Sequence, residues 1–514
     1  MLLIHPPVTK PCEAPAGITK LCGALNYHGV RFDALDGNLE GLLSLLKNQT
    51  LPSDTWTHRA SRHLTRHLAS LKDWQTYHRF DRYKRAVSDL NRLLERAALP
   101  SGVRLGLANY EHQELSPVRS ADLIRAAEKP EDNPFYSYFR RPLLETLQNE
   151  NPIVIGFSLN YLSQALTTFG MIGFLRREAP RSTLVLGGGL VTSWVRRPGW
   201  TNPFNGLVDH VVAGPGEGPL LSILGMGEAA KQEMAGCHYM PNYDSLPLED
   251  YLSPGLILPY SASSGCYWNK CSFCPERAEG NPYVPVPVEQ VVVDLQHLVD
   301  RHRPALIHLV DNAISPALMK AIADNPIGAP WYGFARITNH LTDLDFCLAL
   351  KRSGCVMLKL GLESGDQGVL DRMQKGIDLE EASSVLRTLK KAGIATYVYL
   401  LFGTPPEGLA EARRTLEFIV AHREEIDFLN LAIFNLPVYG PETQQIETRT
   451  FYKGDLSLYT DFDHPKGWGR KAVRQFLDKE FKRHPAIAAI LRRDPPVFTS
   501  NHAPFFAMSN RPKG

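Results

Sequence analysis

Long apolar runs are missing from this chain. No stretch reaches the ~18 uninterrupted apolar residues that a membrane-spanning helix needs, so no membrane span is expected. An excess of either charge is missing too. The 56 basic and 54 acidic residues leave a net charge of +2 over 514 positions, which gives no argument for a nucleic-acid or membrane-surface partner. Cysteine is scarce, with eight in the whole chain, and Cys12, Cys22, Cys237, Cys347 and Cys355 are scattered. That excludes a disulfide framework, reads these five as small core residues and points to a reducing, cytoplasmic setting. Met1 to Pro7 has neither a basic region nor a small-residue cleavage site, so it does not read as an export signal.

The other three cysteines share one short stretch, Gly265-Cys266-Tyr267-Trp268-Asn269-Lys270-Cys271-Ser272-Phe273-Cys274-Pro275. Zinc sites usually combine two Cys-x2-Cys pairs, or a Cys pair with a His pair. Here one Cys-x2-Cys is preceded by a single cysteine and no second pair occurs, so zinc is the weaker alternative. An iron–sulfur cluster fits better, and a proline directly after the last cysteine is a feature of ferredoxin-type cluster loops. Four irons want four ligands; three thiolates leave one iron open to something that reacts. Tyr267, Trp268 and Phe273 are placed to shield such a cluster from water.

The remaining pattern is that of an α/β protein. Strands are expected at Leu2–Ile4, Arg31–Leu35, Pro152–Ser158, Thr183–Leu186 and Val208–Val212, with helices at Ile18–Tyr27, Leu39–Leu46 and Gln164–Arg177 between them. These strands are apolar throughout, as in a parallel sheet covered on both faces. Glycines stand at their carboxyl ends, where ligands of open parallel sheets sit. From about 50 to 150 the spacing is helical, with Arg and His on what reads as a solvated face and no strand of weight. After a Pro- and Asp-rich link around 240–254 the β/α rhythm returns. Strands are expected at Gly255–Tyr260, Leu306–Val310, Trp331–Phe334, Val356–Leu360, Thr396–Leu401 and Phe428–Ile433. Five or six such units predict a partial or full barrel with its site at the C-terminal strand ends. Past 440 the pattern is irregular, with one helix at about Lys471–Arg492 and an aromatic tail through His502, Phe505 and Phe506. His502 has two readings, an acid/base group or a packed histidine.

On its cysteine loop and strand ends, the stretch from about Pro254 to Tyr439 resembles the radical S-adenosylmethionine (SAM) enzymes. The usual family spacing is Cys-x3-Cys-x2-Cys, whereas this chain has Cys-x4-Cys-x2-Cys. The resemblance implies a [4Fe-4S] cluster on Cys266, Cys271 and Cys274, with SAM chelating the fourth iron and being cleaved to a 5′-deoxyadenosyl radical. It also implies SAM-binding roles for Asp311, Arg336, Glu363 and Ser364 at strand ends and for the run through Leu370, Met373, Gln374, Lys375 and Gly376 that follows, with Arg336 and Glu363 as a mutual ion pair the plainer reading. Phe402-Gly403-Thr404-Pro405 ends a later strand where the family brings backbone close to SAM.

The N-terminal pieces Ile4-His5-Pro6-Pro7, Ile155-Gly156-Phe157-Ser158, Leu186-Gly187-Gly188-Gly189 and Ala213-Gly214-Pro215-Gly216-Glu217 resemble the cobalamin-binding domain often fused ahead of such barrels. That resemblance implies cobalamin in the crevice of this sheet, near Ser158, Gly187, Gly188, Gly189 and Glu217, without the Asp-x-His-x-x-Gly motif whose histidine ligates cobalt.

The expected plan is therefore α/β. A Rossmann-like parallel-sheet domain over 1–240, with a helical insertion at about 50–150, precedes a partial (β/α) barrel of radical SAM type over 250–440 and a small C-terminal region over 441–514. The expected function is C-methylation of an unactivated carbon through methylcobalamin. A non-methylating rearrangement or cyclisation and a non-catalytic iron–sulfur/cobalamin sensor are the alternatives. A reducing partner such as flavodoxin or ferredoxin is implied, and no catalytic side chain is singled out.

Overall fold

The computed structural model describes residues 1–48, 54–150, 152–227, 238–444, 446–449, 453–495 and 497–509. Cys237 lies outside the described residues. Two compact units form, one essentially residues 1–256 and the other essentially 257 onward, with short C-terminal segments returning to the first. No described helix is long and apolar enough to cross a membrane.

The first unit is built on five parallel strands: β1 (Leu2–His5), β2 (Asp33–Asp36), β3 (Val154–Ser158), β4 (Thr183–Gly187) and β5 (His210–Val211), in the order β2-β1-β3-β4-β5. β1 and β3 are buried along their whole length. Each fully buried Leu or Ile in them contributes about 1.5–3 kcal/mol. The helix Leu162–Glu178 is buried continuously from Gln164 to Leu175, as an element covered on all sides must be. Strand order reverses between β1 and β3, which makes the crevice beyond their carboxyl ends the ligand position of a doubly wound sheet.

Between β2 and β3 lies the insertion. Asp54 caps the helix Thr55–Arg62 by accepting from the Thr57 amide. The helix Phe80–Ala98 buries Tyr83, Ala86, Val87, Leu90, Leu93, Leu94 and Ala98, a stripe at helical spacing. Arg59, Arg62, Arg66, Arg82 and Arg85 are exposed, so the basic residues form the solvated face that their spacing predicts. The absence of strands here is corrected by a small antiparallel hairpin, Val103–Leu105 with Tyr110–His112. Each arm has only three residues, too few for alternation to register.

The second unit carries six parallel strands: β6 (Ile257–Tyr260), β7 (Leu306–Ile314), β8 (Trp331–Ala335), β9 (Cys355–Glu363), β10 (Ala395–Phe402) and β11 (Phe428–Ile433). They pair in unbroken chain order, which is the plan of a partial (β/α) barrel. Its crossover helices start on side-chain caps: Ser315 on the Leu318 amide, Asp343 on Asp345 and Phe346, Asp378 on Glu380 and Glu381. Such caps each contribute about 1 kcal/mol.

The single C-terminal helix expected at Lys471–Arg492 is two helices, Arg470–Phe476 and Pro485–Arg493, separated by a π-helical turn at Leu477–Phe481. Proline at the first position of the second helix lacks the amide that a continuous helix would use. The tail is packed rather than loose: Asn501, His502, Ala503, Phe505 and Phe506 are buried and Ala503–Ser509 is helical. Asn501 accepts from the Lys359 Nζ at 3.4 Å. His502 is fully buried, its ring centroid 6.3 Å from that of Phe505, so the packed reading holds.

Candidate functional site

Cys266, Cys271 and Cys274 lie in the loop that follows β6, all as free thiols. Among the described residues, no three Cys, His, Asp or Glu side chains converge on a point that one metal ion would fill. Three thiols on one loop are the donor set of a cluster that keeps one iron open. Burial pushes the Cys274 thiol up to about 11 and the Cys271 thiol up as well, with Lys375 and Arg336 opposing the latter. A cluster replaces those protons with metal charge.

Asp311 lies inside β7, not at its end, because that strand runs on to Ile314 through a register shift. It is 3% exposed and accepts from the Ala262 amide at 3.1 Å and from the Ser263 hydroxyl at 2.5 Å. Its carboxylate thus shapes the base of the cysteine loop. Asn312 adds a bond from its amide to the Gly265 carbonyl.

Glu363, at the end of β9, has φ +70°. The ladder to β10 shifts register between Gly361 and Glu363, and bulges of this kind re-aim a side chain beside an active site. The mutual pair of Arg336 with Glu363 is not formed. Glu363 pairs with Lys375, Nζ to Oε1 2.8 Å, with side-chain exposures of 13% and 8%. Lys375 Nζ also stands 5.5 Å from the centroid of the Phe273 ring, in the cysteine loop.

Arg336 instead donates to the Lys375 carbonyl at 2.6 Å, and its guanidinium lies 4.0 Å from the Trp268 ring centroid. Ser364 is fully buried. Its hydroxyl faces Thr415 Oγ1 at 3.2 Å and accepts from the Asp366 amide. The structure therefore gathers the cysteines, Glu363, Lys375 and Arg336 at one place and puts Ser364 into packing. Lys375 belongs to the run after β9 whose resemblance implies SAM binding, and its pairing with Glu363 is what that resemblance did not give; Trp268, expected to shield the cluster, meets Arg336 instead.

Beyond β10, Glu407 is fully buried and accepts from the Trp468 indole at 2.9 Å and from the Gly403 amide. Gly403 and Trp468 line a cavity of about 500 Å³, with Phe434, Phe462, His464 and Lys471 around it. Burial pushes the Glu407 carboxyl up to about 7 from its ordinary 4.5. The folded state thus holds a proton that an unfolded glutamate would release. The stability this gives is complete below pH 4.5 and is lost as pH rises through about 7. Glu407→Gln should remove this loss. The variant's unfolding free energy in urea should fall less than wild type's between pH 5 and pH 8, by a few kcal/mol at about 1.4 kcal/mol per pK unit. Parallel pH profiles of the two proteins would refute this assignment.

In the first unit the loops at the switch point are tied together. Gln164 donates to the Pro6 carbonyl at 2.7 Å and accepts from the Asn160 and Tyr161 amides. Asn160 in turn donates to Ser158 Oγ at 3.0 Å and accepts from the Gly189 amide at 2.9 Å. Loops from β1, β3 and β4 thereby share one crevice. Gly188 has φ +112°, and a Cβ there would lie 2.4 Å from the Leu159 carbonyl oxygen. Gly187 closes β4 in register with Ser158. Glu217, buried at the start of its helix, stands 3.5 Å from Lys20.

Residues 260–419 match the Radical SAM superfamily. The chain is 26% identical over 204 residues to an uncharacterized methyltransferase of Pyrococcus horikoshii, covering 38% of this chain and 43% of that protein. It is 24% identical over 251 residues to the bacteriochlorophyllide d C-12(1)-methyltransferase of Chlorobaculum tepidum, covering 46% and 54%. The chain thus spans about half the length of the curated relatives it matches. Among solved structures, the radical SAM methyltransferase TsrM of Kitasatospora setae, with tryptophan and a SAM analogue bound, superimposes with a TM-score of 0.53 at 17% identity. That match covers 88% of this chain and 79% of that one, and it shows the fold.

Proposed function

We propose that this protein is a cobalamin-dependent radical SAM methyltransferase acting on an unactivated carbon. Residues 1–240 would hold cobalamin, 250–440 would form the radical SAM barrel and 441–514 a C-terminal extension. The observation that carries this reading is the three-thiol loop beside the buried Glu363–Lys375 pair, at the carboxyl ends of parallel barrel strands. When bound, the cluster with SAM supplies a hydrogen-abstracting radical, and cobalamin supplies the methyl group.

The chain's own residues do the rest. Cys266, Cys271 and Cys274 hold the cluster and leave one iron for SAM. Asp311 and Asn312 fix the base of that loop. Glu363 and Lys375 offer opposite charges to the amino and carboxylate groups of SAM. Ser158, Gly187, Gly188, Gly189 and Glu217 line the crevice for cobalamin, where buried His5 (5% exposed) has its proton affinity lowered by burial. A one-electron donor such as flavodoxin or ferredoxin, and a reducing cytoplasm, complete the reading.

Incubating reduced, reconstituted protein with SAM tests it. Absence of 5′-deoxyadenosine removes the radical chemistry, and absence of labelled methyl transfer removes methylation. The crevice has its own test. Gly188→Ala adds a Cβ against the Leu159 backbone at a φ that costs a side chain on the order of 1–3 kcal/mol. The expected result is protein that loses the corrin absorbance on gel filtration, and wild-type retention would remove this crevice as the cobalamin site.

A further inference from the structure

We propose that Trp268 and Arg336 form a positioning clamp that sets where Lys375 and its partner Glu363 stand, so that Arg336 acts through the 373–376 turn instead of touching SAM. This deepens the radical SAM reading and rests on it. Four consecutive carbonyls of that turn are taken by the cysteine loop or by Arg336. Met373 O accepts from the Ser272 amide at 2.9 Å and Gln374 O from the Trp268 indole at 3.1 Å. Lys375 O and Gly376 O accept from Arg336 Nη2 at 2.6 and 3.4 Å.

The turn is moulded around the indole. Gly376 has φ +63°, and a Cβ there would stand 2.2 Å from Trp268 Cζ2. The indole also has cations over it, the Arg336 guanidinium at 4.0 Å and the Lys270 ammonium at 4.8 Å from its centroid, an arrangement the ring quadrupole favours. Asn269 directly follows with φ +44°, a conformation that asparagine tolerates better than most residues. The fourth residue between Cys266 and Cys271 thus gives the loop room to turn the indole onto Arg336. Arg336 itself is 7% exposed. With its backbone held in this way, Lys375 extends its side chain to Glu363.

Trp268→Ala, Trp268→Phe, Arg336→Lys and Gly376→Ala test the clamp. In reconstituted protein, Trp268→Ala, Arg336→Lys and Gly376→Ala should each weaken SAM binding about tenfold and diminish the SAM-induced change in the reduced cluster's electron paramagnetic resonance, with iron content kept. Trp268→Phe keeps a ring under Arg336 but loses the indole donor to the Gln374 carbonyl and should fall between Trp268→Ala and wild type, whereas lysine cannot replace a stacked, forked guanidinium. The Trp268→Ala/Arg336→Lys double variant should be no worse than either single, as expected of residues acting as one unit. Loss of SAM binding in Arg336→Lys with wild-type binding in Trp268→Ala would make Arg336 a direct ligand and overturn the proposal. Should Trp268→Ala fail to fold, Gly376→Ala and Arg336→Lys carry the same comparison. A cofactor-free arm separates failure of the clamp from failure of the radical SAM reading. In apoprotein, hydrogen exchange of the Ser272 amide should be slow in wild type and faster in Trp268→Ala and Arg336→Lys. Unchanged exchange there overturns the clamp whatever the cofactors do.

Discussion

Cys271→Ala is expected to yield a folded protein that retains little cluster iron and makes no detectable 5′-deoxyadenosine from SAM. The loop does not depend on the thiol for its shape. Its backbone is held by the Cys274 amide on the Cys271 carbonyl, the Ser272 amide on Met373 and the Trp268 indole on Gln374. Removing the thiol therefore takes a ligand and little structure. A small side chain lost at 9% exposure should cost about 1 kcal/mol, a shift of a few degrees in Tm at most. Iron and sulfide analysis, cluster absorbance and product chromatography check the result. Cys347→Ala, at a fully buried thiol bonded to the Leu341 carbonyl, is the control and should keep both cluster and activity. Full iron in Cys271→Ala would remove this cysteine from the ligand set.

Lys375→Met should have the second large effect, and on two measurements. Glu363 would be left at 13% side-chain exposure without the Lys375 ammonium that pairs with it. Breaking a buried pair from one side typically costs about 3–5 kcal/mol, whereas replacing both partners is often close to neutral. Glu363→Gln/Lys375→Met should therefore regain most of the urea stability that the single variant loses. SAM binding should stay lost in both, because the charges offered to SAM are gone. A single-variant cost of ~1 kcal/mol or less, the range of surface pairs, would mean that the pair is open to water in solution. Recovery of SAM binding by the double variant would place the SAM contacts elsewhere.

The barrel strands were legible because each is a short apolar run between turn signals. Phe428–Ile433 lies where the pattern puts it, and β7, β8, β9 and β10 extend the expected strands by one to four residues. The extensions matter at the site, since they put Asp311 inside a strand and Glu363 at a bulge. The cysteine loop was legible from spacing alone. Its company was not. Glu363 meets Lys375 instead of Arg336 because a register shift and a positive φ turn it, and neither is written in residue type. Arg336 spends its donors on backbone carbonyls, which every residue carries, so no pattern announces them. Trp268 read as a shield for the cluster, whereas its indole is bound to the turn beyond β9.

The two sheets differ in how far apart their neighbours lie along the chain. In the six-stranded sheet of the second unit each strand pairs with the next strand of that sheet along the chain, so each β/α unit finds its partner soon after it emerges, and pairing proceeds by accretion. In the first unit β1 must also pair with β3, Leu2 facing Ile155, after the whole insertion has been made. Loop-closure entropy rises only logarithmically with length, about 0.6 kcal/mol per doubling, so the insertion costs little at equilibrium. Its cost is in time, because non-local parallel pairing is intrinsically slow. Until β3 arrives, one edge of β1 has no neighbour, and the sequence it presents there is Leu2-Leu3-Ile4.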